Sequence, residues 1–422
     1  MDGTSLLEIY KRVLYYVLFF SALLGIFKIS AFIKAFFKNF YLDDTDKKGK
    51  YAIVIPARNE SKVIEGLLKS IKRQDYDQNL LDIYVVVRDE SDPTVEIAKK
   101  YNAIVKCVYA NSKPEVLDYI FKYMIENKKE YDASFIIDAD NILKTNFITE
   151  MNKSYQMGYP IGVGYRNNKE WNNGVVSACS ALTFFMLNTF QNRPNNETNQ
   201  NMIVSGTGYY IDYNLIKEFN GWPFTTLTED YELSMYCTLN DIKIRYVETA
   251  EFLDEQPTSF KVSFIQRLRW VKGFLQSHRK YKKELNEIDN LESGNRFIEK
   301  LKTKIGIWPF IIAIVAVVTY MVCILGTLGV GYFFGLTNRM VLVKALFSVL
   351  LIIYLGLVAF SFILFMMEHR RIDIKFTNMI KACLFNPIFL ATYVVLIVKA
   401  LKNEEVVWTP IAHTINKDDD DK

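Results

Sequence analysis

Ser134–Asp140 reads SFIIDAD: a short apolar run ending in two carboxylates spaced D-x-D. An apolar run this short, bounded by polar residues, is the pattern of a strand buried on both faces. Carboxylates at its carboxyl end can hold a divalent cation, one directly and one through water, while that ion bridges the phosphates of a nucleotide. Alone, D-x-D is equally the composition of a solvated turn. Its surroundings decide.

Upstream, Ala52–Ile55 (AIVI), Ile83–Val87 (IYVVV) and Ala103–Val108 (AIVKCV) repeat the buried-strand pattern. Helical periodicity occupies Lys62–Ile71 and Glu115–Glu126 between them. This alternation predicts an α/β domain with a mostly parallel sheet, whose ligands gather beyond the strand carboxyl ends. Pro56–Glu60, Asp89, Asp92 and Asp138–Asp140 all fall there.

Apolar runs flank this domain. Val13–Phe37, interrupted by Lys28 and Lys34, is long enough to cross a bilayer, and the lysines that follow place that side in the cytoplasm. Ile305–Phe334, Val341–Met367 and Met379–Ala400 are further candidate spans, the last with a re-entrant alternative around Asn386–Pro387. The basic break Glu368–Lys375 (EHRRIDIK) is expected on the cytoplasmic side, and Val175–Asn188 reads as an interfacial amphipathic stretch. Polar groups inside the apolar third, among them Tyr354, Ser361 and Tyr393, read as packed rather than path-lining. The expected organisation is an anchor at 1–48, a cytoplasmic catalytic domain at 49–292, a membrane region at 293–403 and a tail at 404–422. The terminal DDDDK resembles a cleavage or affinity tag.

Composition agrees with a mixed soluble and membrane protein: half the 422 residues are hydrophobic, 14% are aromatic, and the formal charge is +4. No basic stripe marks nucleic acid as a partner. Five scattered cysteines without a C-x-x-C pair imply neither a disulfide framework nor a zinc site.

Three more segments carry chemistry. Thr228-Glu229-Asp230 precedes a helix, with Thr228 in N-cap position and Asp230 placed to act as a general base. Ser205-Gly206-Thr207-Gly208 permits close backbone approach to a substrate. In Gln266–Trp270 (QRLRW), Gln266, Arg269 and Trp270 share a helix face, offering an amide, a phosphate-binding guanidinium and a stacking indole. Arg267 points elsewhere, toward expected lipid headgroups.

Together with IPARNE at Ile55–Glu60 and SKPEVL at Ser112–Leu117, these motifs resemble the membrane-integrated family 2 glycosyltransferases, the group of cellulose, chitin and hyaluronan synthases. The resemblance implies a GT-A nucleotide-sugar-binding α/β domain with α-helical transmembrane and interfacial segments, in a multi-pass protein of the cell membrane. It implies an inverting hexosyltransferase using a UDP-sugar with Mg2+ or Mn2+. Asp140 and Asp138 would serve the metal and diphosphate, and Asp230, with Glu229 and Arg269, the chemistry. Pro56, Arg58, Glu60, Asp89, Lys113, Gln266, Arg269 and Trp270 would bind the donor. Gly206, Thr207, Gly208 and Trp270 would meet the acceptor. The loop after the second strand departs from the family, with Arg88 in the place of an acid that Asp89 would supply by a one-residue shift. Two acceptors fit the resemblance: a growing β-linked polysaccharide passed through the membrane segments, or a lipid-linked acceptor extended by one sugar.

Overall fold

The computed structural model describes residues 41–287 and 338–402 together with a few scattered positions. The first anchor and most of Ile305–Phe334 lie outside the described residues.

All four expected strands form. β1 (Tyr51–Pro56), β2 (Leu81–Val87), β3 (Ile104–Cys107) and β4 (Ala133–Ile136) pair in parallel in the order β3-β2-β1-β4. Helices α1 (Ile64–Lys72), α2 (Thr94–Lys100) and α3 (Lys113–Glu126) connect them. The other half of the sheet is mixed. It contains β5 (Ile142–Leu143), β6 (Ile161–Asn168), β7 (Tyr209–Asp212) and β8 (Ile244–Asp254), and the full order is β3-β2-β1-β4-β7-β6-β8-β5. β7 runs antiparallel to β4 and β6, so the sheet is less uniformly parallel than expected. This reversal brings the Ser205–Gly208 turn, just before β7, beside the end of β4.

Side-chain alternation along β1 splits the core into two layers. Tyr51, Ile53 and Ile55 face one layer with α1 and with α4 (Phe147–Gln156). Ala52 and Val54 face the other with α3 and with α5 (Val175–Leu187). A π-turn, Asn188–Asn192, and α6 (Arg193–Glu197) follow α5, and α7 (Tyr213–Phe219) follows β7. α8 (Glu229–Leu239), α9 (Phe260–Lys280) and α10 (Lys282–Glu287) complete this part of the chain.

Two long apolar helices follow, α11 (Arg339–Met367) and α12 (Phe376–Leu401). Both are long and apolar enough to cross a membrane. α12 is continuous through Pro387. Its Met379, Ala382, Cys383 and Phe389 share a core with α5, so the two apolar helices and the α/β part are packed as one. Three polar groups of the pair bridge the two helices: Tyr354 donates to the Leu384 carbonyl at 2.8 Å and Asn386 to the Ser361 hydroxyl at 2.9 Å.

Three expectations need correction. Val175–Asn188 is not an amphipathic surface helix: nine of the 13 residues of α5 are buried, because β6 and α12 both pack against it. Arg267 does not reach headgroups. It is 1% exposed, stacks over the Phe389 ring at 3.8 Å and donates to the Thr392 hydroxyl at 2.7 Å, so α12 covers the face that a helical wheel leaves open. The Thr228 hydroxyl caps no helix; it is buried against Gly273, and only its carbonyl enters the α8 ladder, accepting from Glu232.

The break Glu368–Lys375 is docked on the sheet. Glu368, 5% exposed, accepts from the Tyr165 hydroxyl at 2.9 Å and the Thr189 hydroxyl at 3.1 Å. Arg371 pairs with Glu248 at 3.3 Å and lies over the Tyr165 ring at 4.1 Å. The four cysteines among the described residues are free thiols.

Candidate active site

The end of β4, the turn before β7 and the start of α8 converge on one cleft. The Asp138 amide donates to the Thr207 hydroxyl at 2.8 Å, which itself donates to Asn141 Oδ1 at 2.5 Å. The turn needs glycine: Gly206 and Gly208 have φ of +84° and +68°, a region closed to most side chains. A Cβ at Gly206 would stand 3.4 Å from Asp230 Oδ2, so this backbone faces that carboxylate directly.

Lys113, at the start of α3, sits among the acids. Its ammonium donates to Asp138 Oδ1 at 2.5 Å and to the Gly206 carbonyl at 2.6 Å, and lies 4.0 Å from Glu229 Oε1. Burial, then the adjacent Asp230 charge, push Glu229 up to about 7, with Lys113 opposing. Burial also raises Asp230, opposed by backbone donation and by the charges of Lys113 and Arg166. A carboxylate whose pKa burial raises is a stronger proton acceptor, which suits it to proton transfer.

Sequence reasoning missed a second set. Arg166, on β6, donates to Asp254 Oδ2 through Nε at 3.0 Å and Nη2 at 2.6 Å, and through Nη1 to the Ser205 carbonyl at 2.7 Å. Asn141 donates to Asp254 Oδ1 at 2.8 Å, and Gln256 donates to Oδ2. Burial raises the Asp254 pKa, Arg166 lowers it, and the charge of Asp138 raises it further. One polar network therefore runs from D-x-D through Thr207 and Asn141 to Asp254 and Arg166. Asp254-x-Gln256 at the end of an alternating strand, and Asn141 directly after D-x-D, were the available signals.

The Gln266–Trp270 face belongs to α9, which crosses the Thr228 loop at Gly273. The Leu227 amide donates to Gln276 Oε1 at 3.1 Å, and the Thr226 and Ser277 hydroxyls lie 3.1 Å apart. Trp270 meets Phe184 edge-on at 5.6 Å, and the Arg166 guanidinium stacks over Phe184 at 3.7 Å. Gln266 Oε1, Arg269 Nε and Gln256 Oε1 are buried with no hydrogen-bond partner among the described residues. Orphaned buried polar atoms are costly, and a ligand is one way they become satisfied.

The remaining expected residues are distributed unevenly. Thr207 and Gly208 are buried behind Asp138, leaving Gly206 as the residue of that turn at the cleft. Pro56 ends β1; Arg58 and Glu60 lie on the following loop, which Asp92 fixes by accepting from the Asn59 amide at 2.8 Å. Asp89 is exposed and turned toward Ser91, whose amide and hydroxyl it accepts, while Arg88 stacks on Tyr109. Lys113 stands in the carboxylate cluster rather than beside that loop.

The donors fit a hard divalent cation. Asp138 and Asp140 offer only carboxylate oxygens, the ligands that Mg2+ and Mn2+ prefer. No group of three or more His, Cys, Asp or Glu side chains able to hold a metal occurs among the described residues. Further oxygens would come from a diphosphate and water, which is how Mg2+ is commonly held.

Comparison with known proteins agrees with this geometry. The profile described as "Glycosyltransferase like family 2" matches residues 48–273, more than half of the chain. The probable glycosyltransferase YdaM of Bacillus subtilis is 24% identical over 245 residues, 53% of this chain and 55% of its own. A probable glycosyltransferase of Sulfolobus acidocaldarius is 23% identical over 238 residues, 53% of this chain and 49% of its own. The chain thus spans about half the length of the curated relatives it matches. The solved mannosyltransferase PcManGT from Pyrobaculum calidifontis, in complex with GDP-Man and Mn2+, aligns with TM-score 0.56 at 13% identity. That alignment covers 94% of this chain and all of that one, and shows a shared fold of the GT-A type. Profile match, fold and motif order agree: the chain belongs to the glycosyltransferase-like family 2.

Proposed function

We propose that the protein is an inverting hexosyltransferase that takes a sugar from a UDP-sugar and works at a membrane surface. The observation that carries this reading is the convergence of Asp138, Lys113, Gly206, Glu229 and Asp230 on one cleft. Asp230 removes the proton from an acceptor hydroxyl, whose oxygen attacks the anomeric carbon. The bond to the diphosphate breaks with its electron pair going to phosphate oxygen. A single displacement inverts the centre, and one base suffices for it. Arg269, with Gln266 beside it on α9, faces charge that grows as the nucleotide leaves, which favours the transition state over the ground state. Asp138 and Asp140 would hold Mg2+ or Mn2+, which when bound neutralises charge on the leaving diphosphate. Pro56, Arg58, Glu60 and Asp89 lie where the nucleoside would sit, beyond β1 and β2. Gly206 and Trp270 line the acceptor side, and α11 and α12 hold the cleft at the bilayer.

A growing β-linked polysaccharide is the acceptor to which Q-x-x-R-W points. A lipid-linked acceptor extended by one sugar is favoured by a different observation: Tyr354, Ser361 and Asn386 bond between α11 and α12 rather than offering hydroxyls and amides to a passing chain. Full-length protein in lipid vesicles, given labelled UDP-glucose, UDP-GlcNAc, UDP-glucuronate or GDP-mannose, separates the two. A ladder or polymer supports processive synthesis. A product one sugar longer than a lipid supports single addition, and transfer from GDP-mannose alone would overturn the UDP assignment.

A further inference from the structure

The place of Lys113 is unusual for a residue expected to contact only a nucleotide. Its ammonium occupies one oxygen of Asp138, 2.5 Å away, and anchors to the Gly206 carbonyl at 2.6 Å. It also lies 4.0 Å from Glu229 Oε1. The lysine side chain is 20% exposed and Glu229 9%, while Asp138 stays 38% exposed, so water screens the Glu229 side of this cluster less than the Asp138 side. Asp138 and Glu229, two of the acids that would attract a cation here, therefore already face one supplied by the protein.

The rest of the cleft lacks what would overcome that competition. D-x-D contributes two carboxylates, and no cluster of three or more metal-ligating side chains exists among the described residues. A divalent ion arriving alone meets one acid tied to an ammonium and too few protein oxygens to replace its water. Arriving with a diphosphate, the ion gains phosphate oxygens, and the ammonium gains an anion of its own to turn toward.

We propose that Lys113 is a built-in counter-ion that keeps divalent metal out of the D-x-D site until a nucleoside diphosphate arrives, so that metal and nucleotide bind as a coupled pair. This rests on the reading of Asp138 and Asp140 as the metal-holding acids. Lys113 acts here as a positioning residue that sets the order of binding. The start of α3 makes this practical, because a single lysine on a helix end spans both the Asp138 and the Glu229 sides of the cleft.

The test is Mn2+ binding to the full chain, followed by the spin-resonance signal of free Mn2+, with and without UDP or GDP and without any sugar donor. Wild-type protein should bind Mn2+ weakly alone and at least about tenfold more tightly with its nucleotide, a coupling of ordinary allosteric size. Lys113→Met should bind Mn2+ about tenfold more tightly than wild type without nucleotide, with the coupling reduced. Lys113→Arg, which keeps the charge, should stay near wild type. Unchanged or weaker nucleotide-free binding in folded Lys113→Met overturns the proposal. So does strong Mn2+ binding by the wild type alone, a result that requires no variant to fold. The underlying site reading fails separately: if Asp140→Asn binds Mn2+ with nucleotide as wild type does, D-x-D is not the metal site.

Discussion

Gly273 of α9 packs its bare Cα against Thr228: a Cβ there would stand 2.4 Å from Thr228 Oγ1 and 2.7 Å from its amide nitrogen. The contact joins the helix carrying Gln266, Arg269 and Trp270 to the residue directly before α8, whose first turn carries Glu229 and Asp230. Because backbone is among the atoms met, Gly273→Ala must push the two apart. Overpacking of this kind costs about 1–3 kcal/mol. Displacing the base by a fraction of an ångström should lower kcat about tenfold or more. Thermal melts and steady-state kinetics on the variant measure both, and an unchanged kcat would mean that α9 does not set the position of Asp230.

Glu229 links stability to pH. Its carboxyl is raised from 4.5 to about 7 in the folded protein, first by burial and then by Asp230. A raised carboxyl favours the fold most below its unfolded pKa, and that favour is lost as pH rises through about 7. Glu229→Gln carries no such penalty. It should be more stable than wild type at pH 8 by about 2–3 kcal/mol and equal to it near pH 4.5. Because Glu229 is already neutral below about 7, the acid limb of the activity profile should stay near its wild-type position. Denaturation at both pH values and a kcat/KM profile check these signs.

Arg267 binds helix to helix. It stacks on Phe389 and donates to Thr392, with the Tyr393 ring 5.1 Å away. Arg267→Ala should cost about 2–4 kcal/mol through lost packing and cation–π contact. Its affinity for vesicles of anionic lipid should match wild type in a flotation assay. A selective loss of anionic-lipid binding would return this arginine to the headgroups.

Glu368 fastens the α11–α12 turn to the sheet. Glu368→Ala leaves the buried hydroxyls of Tyr165 and Thr189 without their acceptor and should cost about 3 kcal/mol in a denaturation series. Glu368→Gln, which keeps an acceptor oxygen, should lose less. Equal losses would mean that the carboxylate charge, rather than these two hydrogen bonds, holds the turn.

The legible parts of this molecule were those written contiguously. SFII followed by D-A-D places a strand and its ligand end in seven residues, and GWPFTTLTED announces the start of α8. Arg166 was invisible because nothing near it in sequence marks it. Asp254 reaches it across 88 positions, through pairing of β6 with β8 that shifts register between Gly164 and Tyr165. The antiparallel β7 was hidden for a related reason: its YYID run is short, and its direction depends on which strands flank it. Arg267 shows the limit of a helical wheel, which gives the direction of a side chain but not what covers it.

The central claim is that Asp230 is the base. Purified Asp230→Asn in lipid vesicles should transfer labelled sugar at least about a hundredfold more slowly than wild type. Its affinity for the free nucleotide should stay within about twofold, because the lost group acts on the acceptor proton. Wild-type turnover by that variant would contradict the account.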